Sequence, residues 1–141
     1  MRILYSTAAT ARGGRDGEVV SDDGILDLEL ASPVELGGPG GDRTNPEQLF
    51  AAGYAACFSS TLQHVAGKRE LDVAGLEVTA KVGLAHEGGV SDLAVTLVVA
   101  FPSSVTAEQG EELVEAAHQM CPYSRATRGN VEVTLQVAER I

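Results

Sequence analysis

The sequence of 141 residues has no tryptophan, only three tyrosines and three phenylalanines, and only two cysteines. With so few aromatic rings, a core must be assembled from Val, Leu and Ala. No stretch approaches 18 uninterrupted apolar residues, so no membrane-spanning helix is expected. The opening segment MRILYSTAATARGG lacks the apolar centre of a signal peptide, and a cytoplasmic location follows as an expectation. Basic residues are scarce as well: 10 Lys and Arg stand against 20 Asp and Glu, a formal net charge of −10. Polyphosphate and acidic lipid are repelled by such a chain, which argues against nucleic-acid and membrane partners and for a solvated acidic surface. The length fits a single domain over residues 1–141.

Two cysteines in a reducing compartment seldom form a structural disulfide. Where such a pair oxidises, the bond is usually transient and serves catalysis or sensing. Composition alone favours a plainer outcome, two unrelated thiols packed as small hydrophobes.

Local patterns order the chain. Residues 2–9 read as a first strand, and Arg12-Gly13-Gly14-Arg15-Asp16-Gly17 as a glycine-rich turn. Strands over Glu18–Ser21 and Ile25–Ala31 follow, joined by the hairpin signal Asp22-Asp23-Gly24. Asn45, Pro46 and Gln48 then open a helix, as cap, first helical residue and capping-box partner, and Gly67 stops it. Its stretch LFAAGYAACF has no polar face, so the helix needs cover on all sides, from a second sheet or a partner subunit. Alternating Leu76–Val82 and the more apolar Leu93–Phe101 read as strands around the Gly88-Gly89 turn. Thr106 with Gln109 caps a second helix, which Pro122 ends while pushing Cys121 towards an extended conformation. Val131–Val137 alternates as a last strand. The order is βββ-α-ββ-α-β, an α+β domain.

Chemistry centres on the thiols. Cys57 lies within the enclosed helix and Cys121 at a helix end, 64 residues apart, so only the fold can join them. Burial raises a thiol's pKa while the thiolate is the nucleophile, so Cys57 needs a compensating cation. Arg15 on the flexible turn is a candidate, and Glu47 can hold its guanidinium by a bidentate pair.

The run Thr44-Asn45-Pro46-Glu47-Gln48-Leu49-Phe50-Ala51-Ala52-Gly53-Tyr54-Ala55-Ala56-Cys57-Phe58 closely resembles the signature of the organic hydroperoxide resistance (Ohr) branch of the OsmC/Ohr superfamily. Cys121-Pro122-Tyr123-Ser124, followed by Ala126-Thr127-Arg128-Gly129-Asn130, resembles that family's second motif, and Gly13-Gly14-Arg15-Asp16-Gly17 its N-terminal one. The likeness runs from about residue 4 to residue 138. It implies an OsmC/Ohr-like fold whose central apolar helix is wrapped by antiparallel sheets in an intertwined homodimer, with a site at each subunit boundary. It implies an organic hydroperoxide reductase in which Cys57 is peroxidatic, Cys121 resolves it as a disulfide, and Arg15 and Glu47 organise the thiolate. Substrates would be alkyl or fatty-acid hydroperoxides, and the reductant a dihydrolipoyl-type dithiol; no cofactor or metal is implied. Arg125 departs from the family's usual Asn and alters the charge near Cys121. Pro46, Leu49, Phe50 and Tyr123 could supply apolar walls.

Ten residues of straight helix would separate Glu47 from Cys57 by about 15 Å. A break at Gly53 is therefore expected, the alternative being that Arg15 or Glu47 comes from the partner chain. Two rival functions remain. One is a zinc-binding structural protein built on Cys57, His64, His118 and Cys121; the other is a thiol redox sensor without turnover.

Overall fold

The computed structural model describes residues 1–138, so the last three residues of the expected 1–141 domain lie outside the described residues. The chain packs as two compact units, Met1–Leu49 and Phe50–Ile141.

The first unit carries strands β1 (Ala9–Arg12), β2 (Glu18–Ser21) and β3 (Asp27–Glu29) in an antiparallel sheet of order β1-β2-β3. The β2–β3 hairpin turns at Asp22-Asp23-Gly24 as the residue pattern indicated, where Asp23 accepts from the Ser21 hydroxyl and the Ile25 N–H. Residues 2–8, expected to be the start of the first strand, are neither helix nor strand, and Ile3, Leu4 and Tyr5 stand about 80% exposed. Alternating sequence makes a strand only where a neighbour accepts its hydrogen bonds. Little apolar surface is hidden here: Leu30 and Ala31 are buried, while Ile25, Leu26, Val34 and Leu36 are exposed.

Helix α1 (Pro46–Lys68) starts where expected, with the Gln48 N–H donating to Asn45 Oδ1 at 2.9 Å. The reciprocal half of the box is replaced, because Gln48 Oε1 accepts from the Thr44 hydroxyl instead. The helix is unbroken over its 23 residues. The expected break at Gly53 is absent: one glycine costs only about 1 kcal/mol of helix propensity, and tertiary packing overrides it. One face of α1 is fully buried through Tyr54, Phe58, Leu62, Val65 and Ala66, at helical spacing. Ala52, Ala56, Ser60 and Gln63 on another face remain exposed.

In the second unit, β4 (Glu77–Glu87) and β5 (Val90–Ala100) pair antiparallel around Gly88-Gly89. Helix α2 (Ala107–Met120) carries the expected capping box of Thr106 and Gln109, both halves formed. A short helix α3 (Pro122–Thr127) follows, and β6 (Glu132–Val137) pairs with β5 in parallel. The antiparallel expectation is thus met in one sheet and corrected in the other. A helical crossover carries the chain back across the sheet so that β6 enters in the direction of β5. Val95, Leu97 and Val99 of β5 pack with Phe58, Leu62, Phe101 and Leu113 in the core, where truncating Phe58 to Ala would cost about 3–5 kcal/mol.

Candidate active site

In the first unit, the glycine turn places Arg15. Gly13 and Gly14 take positive φ, and a Cβ on Gly17 would come within 1.7 Å of the Arg12 carbonyl oxygen, so only glycine closes this turn. Asp16 ties the turn down by accepting from the Ser32 N–H. Arg15 Nη2 then donates to Glu47 Oε2 at 3.0 Å, and Nη1 lies 2.7 Å from Oε1. Glu47 strengthens the guanidinium's hold on its proton, chiefly through this hydrogen bond. The pair is half-buried, joined by one hydrogen bond and a second close ionic contact.

In the second unit, the two sulfurs meet. Cys121 Sγ donates to Cys57 Sγ across 3.5 Å, both as free thiols. Cys121 is fully buried and serves two helices, as the last cap of α2 and the first of α3. Its φ and ψ of −58° and 125° are the extended form that a following proline imposes. Burial raises the Cys57 pKa; the Tyr123 N–H acts against it, and Cys121 adds to it.

The Tyr123 ring lies against Gly53, where an added Cβ would meet its hydroxyl at 2.9 Å. Phe50 and Tyr54 flank it, with ring centroids at 6.4 and 5.7 Å. Phe50, Tyr54 and Tyr123 thus form an aromatic cluster beside Gly53, one turn before Cys57 on α1. Beneath lies a buried polar chain that sequence reasoning missed: the Ser124 hydroxyl lies 2.7 Å from the Tyr54 hydroxyl and 2.8 Å from His118 Nδ1. Only the three-residue spacing of these side chains from the cysteines could have signalled it. His118 was a candidate zinc ligand with Cys121, but its Nδ1 is engaged by Ser124. Among the described residues no group of three or more His, Cys, Asp or Glu side chains gathers as a metal site requires.

The structure therefore joins the four expected site residues as two pairs, Arg15 with Glu47 and Cys57 with Cys121. The helix break expected between Glu47 and Cys57 is absent: α1 is continuous.

Comparisons with known proteins place the chain in a family. The family described as OsmC-like protein matches residues 38–136. An organic hydroperoxide resistance protein of Xanthomonas axonopodis pv. citri is 50% identical over 138 residues, covering 97% of this chain and 96% of that one. The organic hydroperoxide resistance protein OhrB of Bacillus subtilis is 46% identical over 136 residues, 95% of this chain and 98% of that one. A solved organic hydroperoxide resistance protein from Elizabethkingia anophelis, holding thiocyanate, superposes with a TM-score of 0.92 at 49% identity, covering 99% of this chain and 100% of that one. An α+β fold shared with solved relatives, and near-complete alignment at half identity, lead to one assignment: this chain belongs to the OsmC-like family, among the organic hydroperoxide resistance proteins.

Proposed function

We propose that the chain is a cysteine-based peroxidase that reduces alkyl or fatty-acid hydroperoxides to alcohols. The observation that carries this reading is the 3.5 Å separation of the Cys57 and Cys121 sulfurs, Cys57 half-buried and Cys121 fully buried. Cys57 thiolate attacks the distal oxygen of ROOH; the O–O bond breaks, ROH leaves with a proton, and Cys57 becomes a sulfenic acid. Cys121 then attacks that sulfur, expelling water and forming the Cys57–Cys121 disulfide. A dithiol of the dihydrolipoyl type reduces the disulfide by exchange and is itself oxidised. Apolar walls favour an organic chain over hydrogen peroxide.

Cys57 needs a cation because burial raises its pKa, and Arg15 held by Glu47 is the candidate. Glu47 and Cys57 stand ten residues apart on one unbroken helix, about 15 Å along its axis. In this reading the Arg15–Glu47 pair therefore serves the Cys57 of a partner subunit, in a homodimer. Two further features support a partner: α1 exposes Ala52, Ala56 and Ser60 on a helix with few polar residues, and the first unit buries little apolar surface of its own. The chain then acts as a single domain over 1–141 in a reducing cytoplasm. Among the described residues no helix is long and apolar enough to cross a membrane.

Steady-state assays with cumene hydroperoxide and dihydrolipoamide test the reading. Cys57→Ser should abolish peroxide consumption, and Cys121→Ser should react once and then stall or over-oxidise. Turnover retained by Cys57→Ser would defeat the proposal, whereas a protein that forms the disulfide but never turns over would favour the sensor reading.

A further inference from the structure

Resting on that reading of the cysteines, we infer that Ser124 is a positioning residue for disulfide closure, its hydroxyl pinning three helices so that Cys121 faces Cys57. The argument is one of spacing and burial. Tyr54 stands one helical turn before Cys57 on α1, His118 one turn before Cys121 on α2, and Ser124 one turn after Cys121 on α3. The three side chains meet at a single oxygen, Ser124 Oγ, at 2.7 Å from Tyr54 and 2.8 Å from His118 Nδ1. Ser124 and Tyr54 are both 0% exposed, so neither hydroxyl has water as an alternative partner.

The proton inventory closes. A serine hydroxyl has one proton to give and lone pairs to receive. With Nδ1 of a neutral His118 as the acceptor, Ser124 can donate there and still accept from the Tyr54 phenol, so one proton arrangement satisfies both contacts. The Ser124 carbonyl is held as well, receiving the Arg128 N–H and the Thr127 hydroxyl. The first turn of α3 is therefore fixed from both its backbone and its side chain, and Cys121 is the residue that caps that turn.

This matters most at one step. Forming a disulfide brings sulfurs to about 2.05 Å, so the pair must close by about 1.5 Å from its 3.5 Å rest separation. In closure, Cys57–SOH and Cys121–SH become the disulfide and water. The competing step is attack of the Cys57 sulfenate on a second ROOH, which yields sulfinate and ROH. A loosened α3 slows the first step and leaves the second untouched, so the choice between them reports the pin.

The experiment follows Cys57 oxidation and disulfide closure separately, by rapid mixing of the full-length protein with cumene hydroperoxide, with intact mass resolving disulfide from sulfinate. Ser124→Ala should oxidise at Cys57 at near the wild-type rate, close about tenfold more slowly, and accumulate sulfinate at peroxide levels where the wild type gives disulfide. Ser124→Thr, which keeps the hydroxyl, should restore most of the closure rate. Should Ser124→Ala not fold, Tyr54→Phe removes one arm of the pin without changing packing volume and should show the same shift in smaller degree. Closure at the wild-type rate in Ser124→Ala, or in Tyr54→Phe if that is the variant that folds, would overturn the inference even if Tm falls. Failure of the wild type itself to form the disulfide would instead overturn the peroxidase reading beneath it.

Discussion

The Tyr123 ring rests on Gly53, and a methyl group at that position would stand 2.9 Å from the phenol oxygen and 3.1 Å from the ring edge. Gly53 is four residues before Cys57, so the same face of α1 that seats the ring presents the thiol one turn later.

Gly53→Ala should therefore tilt Tyr123 outward. Helix propensity gains about 1 kcal/mol and overpacking costs about 1–3 kcal/mol, but the obstructing atom is the free end of a side chain that can swing away. Tm should change little while Cys57 in the reduced protein reacts several-fold faster with a maleimide. Alkylation at the wild-type rate would show that the ring does not shield the thiol.

Arg15 and Glu47 bear on the ionisation of Cys57. Burial raises the Cys57 pKa, and thiolate reactions accelerate as pH rises through that pKa. If the Arg15 charge offsets the burial, Arg15→Ala should shift the pH–rate profile of Cys57 oxidation to higher pH. Glu47→Gln should do so less, because the arginine charge survives but loses its aim. A profile unchanged in Arg15→Ala would remove Arg15 from the site.

His118 links stability to pH. Its pKa is lowered, first by burial and then by the Arg128 charge, with Glu115 opposing. The folded protein thus binds this proton less readily than the unfolded chain does. Above the ordinary histidine value of about 6.5 neither state is protonated and there is no penalty. As pH falls below it, the unfolded chain takes up the proton first and stability declines until the folded-state pKa is passed. Denaturant unfolding of His118→Gln should show a flatter dependence over this window than wild type; identical curves would contradict the assignment.

Thr106 provides a control remote from the thiols. Thr106→Ala loses the hydroxyl half of the α2 capping box and should cost about 1 kcal/mol, a Tm loss of about 4 °C. Peroxide turnover below Tm should be unaffected. An equal loss of turnover would mean that the start of α2 reaches the site.

Features with a local cause were legible in the sequence. Thr106 and Gln109 cap α2 as a pair because both halves lie within one turn, and Pro122 forces Cys121 out of the helix by steric contact with its own neighbour. Arg15 and Glu47 were paired correctly on charge and reach. What was missed depended on partners distant in the chain. Residues 2–8 alternate like a strand, but among the described residues no strand pairs with them. The direction of β6 is set by the crossover through α2 and α3, and α3 is too short for its periodicity to register. The Gly53 break was inferred from the need to bring Glu47 to Cys57, a need no local feature of the helix expresses, and α1 is continuous. The Tyr54–Ser124–His118 chain joins residues up to 70 apart, and nothing in any one segment marks it.

The central claim is that Cys57 and Cys121 exchange between two thiols and one disulfide as hydroperoxide is consumed. Intact-mass analysis after a single equivalent of cumene hydroperoxide, with the cross-linked peptides then identified, tests it most directly. The account predicts that each chain loses two hydrogens, gains no retained oxygen, links Cys57 to Cys121, and returns to its starting mass on adding dihydrolipoamide. A product that keeps an added oxygen on Cys57 while Cys121 remains a free thiol would contradict it.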